Sequence, residues 1–270
     1  MGDFRLLKVV VNCGLCEEFI EPCLESLRMQ THTDWQALVT VDRRGDRTFE
    51  RAVAARDGDE RIVITRNRRR LYPMENIVRA IRRSHADPED VVVILDGDDW
   101  LITDQALERI AAEYEDDSCW MTYGSWVSNV DGHPGRWPAY GDGADFRKER
   151  WLGTAVRTWK RWLFDQIAER DLRDRAGRYF RVTEDLACMF PMLEMATTRR
   201  AHHIAEPLML YNRLSHHDPK RRLANEGLRN AADLRARTRY APLVAKVVPE
   251  RREWVGGGDL GRLLGSDPIA

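Results

Sequence analysis

A chain of 270 residues with 43% hydrophobic residues has enough apolar surface for one large domain, or for a core domain with a smaller appendage. Its 43 basic and 44 acidic side chains nearly cancel, and the formal charge of -1 argues against a protein that holds polyanions by bulk charge. No stretch approaches the roughly 20 consecutive apolar residues that cross a bilayer, and MGDFRLLKVVV lacks the layout of a secretory signal, so a cytoplasmic protein is expected. The five cysteines are an odd number scattered along the chain and are expected to be free thiols.

From Leu6 to Leu95, short β-branched runs alternate with helical patterns, the signature of βαβ units and a parallel sheet. The strands are LLKVVV, QALVTV, RIVIT and VVVIL. Between the first two, Phe19, Ile20, Cys23, Leu24 and Leu27 share one helix face, with Pro22 tolerated in the first turn. Met74, Ile77, Val78 and Ile81 repeat the pattern before the fourth strand. A helix from Asp104 to Tyr114 and a strand CWMTYGSWVS follow. Asn129 to Asp145, rich in Gly, Pro and Asp, is expected to be a long loop. Helices are expected over Lys160–Glu169 and Thr183–Met195, then a basic, mostly polar helix after His217 and a frayed tail VGGGDLGRLLGSDPIA.

The most informative string is VVVILDGDDWL, in which a hydrophobic strand runs into Asp96, Gly97, Asp98 and Asp99. Ligands of open parallel sheets bind outside the carboxyl ends of the strands, where this turn falls. Clustered carboxylates repel one another unless a cation sits between them, and an all-oxygen set suits Mg²⁺ or Mn²⁺ shared with substrate phosphates. Gly97 is expected to let the backbone bend so that the flanking carboxylates face one side. The plain alternative is a solvated Asp/Gly turn.

This turn, together with EEFIEPCLESLRMQT, RNRRRLYPMENIVRAI and RVTEDLACMFPMLEMA, resembles the family 2 glycosyltransferases of the GT-A fold. The resemblance implies an α/β architecture, a Rossmann-like, mostly parallel sheet flanked by helices, with a smaller C-terminal acceptor-binding region. The expected division is a nucleotide-sugar-binding region over 1–128, an acceptor-binding and catalytic-base region over 129–218, and a basic helix and tail over 219–270. It implies an inverting, metal-dependent transfer of a sugar from a nucleotide diphosphate donor, UDP being commonest, to a hydroxyl of a glycan, a lipid-linked acceptor or a nucleic-acid base. The cofactor implied is Mn²⁺ or Mg²⁺. Asp96 takes the donor ribose, Asp98 the metal, and Asp99 competes with Asp98; Asp96 also belongs to the candidate metal set. Asp42 is the candidate for the nucleotide base. Asn67, Arg70 and Asn76 match donor-pocket positions, as does Asn12 in the loop after the first strand. Asp185, with Glu184 beside it, matches the general base, and His216 or His217 falls where some relatives place a further metal ligand. Two departures, Asn12-Cys13-Gly14-Leu15 and Asp42-Arg43-Arg44-Gly45, lie in loops tied to base and sugar specificity.

Other readings remain at this stage. Thr183 capping a helix whose positive end favours Glu184 and Asp185 accounts for that motif structurally. Cys13 and Cys16, spaced Cys-x-x-Cys between a strand and a helix, fit a thioredoxin-like redox site. A nucleotidyltransferase also joins a parallel sheet to metal-binding aspartates. The arginines and tryptophans between Trp120 and Trp162 fit a nucleic-acid surface.

Overall fold

The computed structural model describes residues 6–132, 134–135, 137–214 and 223–247. The four hydrophobic runs form β1 (Leu7–Cys13), β2 (Trp35–Val41), β3 (Ile62–Arg66) and β4 (Val91–Asp96), paired in parallel in the order β3-β2-β1-β4. They are linked by α1 (Ile20–Arg28), α2 (Thr48–Arg56) and α3 (Tyr72–Arg83). α2 was not singled out in the sequence because it buries only Thr48 and Ala52, too narrow a stripe to stand out. Next come β5 (Trp100–Leu101), α4 (Ala106–Glu113), β6 (Met121–Ser128), β7 (Pro134–Gly135), β8 (Arg157–Lys160), α5 (Arg161–Phe164), α6 (Glu184–Arg200), β9 (Ala201–Tyr211) and α7 (Ala224–Ala236).

One nine-stranded sheet takes in all of these strands in the order β3-β2-β1-β4-β8-β6-β9-β5, with β7 attached to β6. The sheet therefore continues across the expected boundary at residue 128. β8 runs antiparallel between β4 and β6, and β9 runs parallel to β6 with irregular register around Ser125. The helix expected over Lys160–Glu169 shrinks to the four residues of α5 and a separate 3-10 turn at Glu169–Leu172. Its start belongs to the sheet, since Lys160 ends β8 opposite Val91.

Alternation along the strands builds three layers. On β1, Leu7, Val9 and Val11 pack with Ile20, Leu24, Ala52, Leu107 and Ile110 of α1, α2 and α4. Val10, Val92 and Ile94 face the other way, into a core with Ile77 and Ile81 of α3 and Leu186 and Phe190 of α6. α6 is buried at every position from Leu186 to Ala196, so it reads as an apolar run rather than an amphipathic stripe. It continues past the expected end at Met195, with a non-helical residue at Thr197. Trp120, Trp159 and Trp162 belong to this core, at 5%, 1% and 0% exposure, which removes them from any nucleic-acid surface. No helix among the described residues is long and apolar enough to cross a membrane.

One buried ion pair holds the long loop to this core. The Arg147 guanidinium donates from Nε to Glu194 Oε1 at 2.5 Å and from Nη2 to Oε2 at 2.8 Å, with the two side chains 3% and 6% exposed. Arg147 Nη1 also donates to the Leu234 carbonyl, and the Tyr240 amide donates to Glu194, so the loop, α6 and α7 meet here. Removing one partner leaves the other charge buried and unpaired. Arg147→Ala is expected to cost about 3–5 kcal/mol of stability, measured by urea denaturation.

Candidate active site

Parallel pairing gathers the site. Asn12 of β1 stands opposite Asp96 of β4, while Asp42 and Asn67 are the residues that follow β2 and β3. The backbone extends the alignment past the strands, because Asp42 N donates to Cys13 O, Asn67 N to Val41 O and Gly97 N to Asn12 O. Four of the six sequence-derived donor residues thus lie along one carboxyl edge.

At the acidic turn, Asp96 and Asp98 are partly exposed, whereas Asp99 is 2% exposed and accepts from the Asn212 amide at 2.8 Å. Asp99 thereby ties the turn to the end of β9. Beside Asp96, the Asn12 side chain is 6% exposed, and neither its Nδ2 nor its Oδ1 has a hydrogen-bond partner among the described residues. A buried amide left unpaired is costly. Asp96 and Asp98 are the partly exposed oxygen donors of the turn, of the kind a hard divalent ion takes.

Gly97 is required for a reason other than bending. It does not adopt a positive φ. A Cβ built on it would lie 2.6 Å from Cys13 Sγ and 3.2 Å from the Asn12 carbonyl, so the turn lies flat on β1. Cys13, Cys16 and Cys23 form the floor, all at most 3% exposed and free. A hydrogen bond with Cys16 and burial push the Cys13 thiol well up, and burial does the same to Cys23. A redox dithiol needs the opposite shift and access, so Cys13 and Cys16 pack rather than react.

The second half of the site arrives with β8 and α6. Arg157, paired in register with Ile94, sits two residues short of Asp96 on the neighbouring strand. Its Nη1 lies 3.7 Å from Asp185 Oδ2, and its side chain is 12% exposed. Burial works against the guanidinium charge, yet Asp185, Asp96 and Glu184 more than compensate and hold it above the ordinary arginine value. Burial, then the charges of Asp185 and Asp96, push Glu184 up to about 7. Asp185 accepts from the Leu186 amide at 2.9 Å. Thr183 does not cap the helix: it is left-handed at φ 67° and its hydroxyl turns to the Val182 carbonyl. Arg157 was missed in the sequence because nothing separates it there from the other arginines.

Asp42, Asn67 and Asn76 form a buried polar knot rather than three separate contacts. Asp42 Oδ1 accepts from Asn67 Nδ2, Asn76 Nδ2 and the Leu71 amide at 2.9, 3.3 and 2.9 Å, and Oδ2 accepts from the Tyr72 amide at 3.0 Å. This fixes the arginine loop and the start of α3. Arg70 lies over the Tyr72 ring at 3.9 Å, with its Nε buried and without a hydrogen-bond partner among the described residues. Burial and then neighbouring Arg44 lower its pKa, against the opposing charges of Tyr72 and Asp42. His216 and His217 lie outside the described residues.

With this geometry in view, the comparisons decide the family. Residues 9–175 match the family model "Glycosyl transferase family 2". The chain belongs to glycosyl transferase family 2. This glycosyltransferase shares its fold with residues 1–349 of S. aureus TarS in complex with UDP-GlcNAc, at 14% identity and TM-score 0.58, over 77% of this chain and 59% of that one. The same TarS fragment with UDP gives 14% identity and TM-score 0.60, over 85% and 65%. The mannosyltransferase PcManGT from Pyrobaculum calidifontis, in complex with GDP-Man and Mn²⁺, gives 15% identity and TM-score 0.61, over 89% and 67%. The glycosyltransferase therefore spans less than two thirds of the TarS chains it resembles. No curated protein matches it in sequence. The fold is GT-A, as the sequence resemblance implied.

Two tests address the site. Gly97→Ala is expected to destabilise the protein by about 1–3 kcal/mol through overpacking, and Cys13→Ala in the same chain to recover part of the loss, read by denaturant midpoints. Glu184 binds its proton more tightly folded than unfolded. Its contribution is therefore complete below the ordinary glutamate range and is lost as pH rises through about 7. In metal-free protein, thermal melts from about pH 5 to about pH 8 should show a decline that is shallower in Glu184→Gln.

Proposed function

We propose that this family 2 enzyme is an inverting, divalent-metal-dependent glycosyltransferase that moves a sugar from a nucleoside diphosphate donor, UDP-linked in the first instance, to an acceptor hydroxyl. The observation that carries the reading is the convergence of Asp96, Arg157, Glu184 and Asp185 where β4, β8 and the start of α6 meet. A metal-binding turn and a candidate base held by one shared cation fit a reaction in which a diphosphate leaves and a hydroxyl proton is taken. The related structures with UDP, UDP-GlcNAc, and GDP-Man with Mn²⁺ support a nucleoside diphosphate leaving group and a divalent ion.

In this reading Asp98 and Asp96 hold Mn²⁺ or Mg²⁺, Asp96 also faces the ribose, and Asp99 keeps its place as the anchor to β9. Bound there, the ion supplies positive charge to the diphosphate as it leaves. Arg70, half-buried and over the Tyr72 ring, receives the diphosphate. The unpaired Asn12 amide bonds a polar group of the donor, and Asp42, Asn67 and Asn76 shape the base end of the pocket. Two neighbouring carboxylates share the acceptor side. Glu184, pushed up to about 7, is the more readily protonated of the two, and Asp185, beside Arg157, accepts the acceptor's proton. Attack by the activated hydroxyl opposite the departing diphosphate inverts the anomeric centre. Residues 1–128 then carry the donor half and 129–218 the acceptor half, joined by the common sheet.

Asp98→Ala and Asp185→Asn are each expected to lower turnover by about 10²–10⁴-fold with circular dichroism unchanged. The assay is release of nucleoside diphosphate from a panel of nucleotide sugars with Mn²⁺. Undiminished turnover in both variants overturns the residue roles, and release of pyrophosphate instead points to nucleotidyl transfer.

A further inference from the structure

A second cluster of metal-capable side chains lies at the amino ends of β6 and β9, the opposite edge of the sheet from the acidic turn. Glu113 closes α4, Cys119 precedes β6, and His202 is the second residue of β9, paired in register with Thr122. One carboxylate oxygen, the thiol sulfur and one ring nitrogen of these residues all lie within 4.8 Å of one another. Cys119 is fully buried, while the Glu113 and His202 side chains are 17% and 23% exposed, so the cluster has a sulfur floor and a side that solvent reaches.

The groups are already oriented. Arg109 Nη2 pairs with Glu113 Oε1 at 2.5 Å, while Glu113 Oε2 meets His202 Nδ1 at 2.8 Å. One oxygen is thus held by an outer partner and the other turned toward the imidazole, the arrangement that orients ligating carboxylates in metal sites. Ligand atoms around a tetrahedral zinc, at about 2.0–2.3 Å from the metal, stand roughly 3–4 Å apart, so small side-chain movements close this set on an ion. The chemistry of the ligands differs from that of the active site. Asp96 and Asp98 offer hard oxygens, whereas a thiolate, an imidazole and a carboxylate select a softer ion such as Zn²⁺. None of the three residues has a part in sugar transfer.

We propose that Glu113, Cys119 and His202 form a zinc site, separate from the catalytic metal, that pins the end of α4 to the first residues of β6 and β9, with water in the fourth position. On binding, the Cys119 thiol gives its proton to solvent as the sulfur–zinc bond forms, and the Glu113–His202 hydrogen bond is replaced by two bonds to the ion.

The test uses the full chain, stripped of metal and titrated with Co²⁺, because a thiolate ligand to cobalt gives a charge-transfer band in the near ultraviolet that oxygen ligands do not. The band is expected to saturate at one equivalent, to vanish on adding Zn²⁺, to persist in Asp98→Asn and to disappear in Cys119→Ser. His202→Gln, at a partly exposed position and with its folding checked by circular dichroism, is expected to weaken Co²⁺ binding about tenfold or more. Absence of the band in the unaltered protein, its survival in Cys119→Ser, or unchanged affinity in His202→Gln each overturns the proposal. The readout is spectroscopic and independent of sugar transfer, so its failure is distinguishable from failure of the proposed reaction.

Discussion

Three carboxylates can share a small volume only if a cation shares it with them, and Arg157 is that cation. Its guanidinium, 12% exposed, feels Asp185, Asp96 and Glu184 together. Burying such a charge is unfavourable unless it is paired, and leaving the carboxylates without it is equally so. The groups therefore hold one another in place. What makes the meeting possible is the antiparallel insertion of β8 beside β4, which sets Arg157 against Ile94 and within reach of the end of the same strand. The start of α6 then needs to lie over β8, and the burial of that helix from Leu186 to Ala196 brings it there.

The rest of the architecture serves this junction by being stiff. Alternate residues of β1 and β4 feed two separate cores, so the carboxyl edge of the sheet is fixed from both faces. On one side, Asp42, Asn67 and Asn76 lock the arginine loop with hydrogen bonds; on the other, Arg147 and Glu194 lock the long loop to α6. Both are buried polar arrangements with their partners present, the form in which such groups specify a geometry rather than weaken it.

The parts legible in the sequence are those where one local signal suffices. Dense β-branched runs announced β1 to β4, and the family was legible because the motifs around Asp96, Asp98, Glu184 and Asp185 resemble those of its members. What was not legible depends on neighbours distant in sequence. Arg157 is one arginine among many until β8 is seen against β4. β9 carries an irregular register and no clean alternation, so AHHIAEPLMLY did not read as a strand. Gly97 looked like a hinge and is instead a contact point, because the atom it must avoid is Cys13 Sγ. Asp42 and Asp99 look the same as the other acidic candidates in sequence, yet tertiary hydrogen bonds commit their carboxylates largely to the fold.

The placement of β8 also bears on the order in which the protein is completed as it is synthesised. β1 to β4 and their helices emerge before β8, and until it arrives the edge of β4 that it covers is open. Asp96 is then without Arg157, the cation that faces it in the finished fold. Only when the strand bearing Arg157 slides in beside β4 does the nascent polypeptide acquire its own neutralising group.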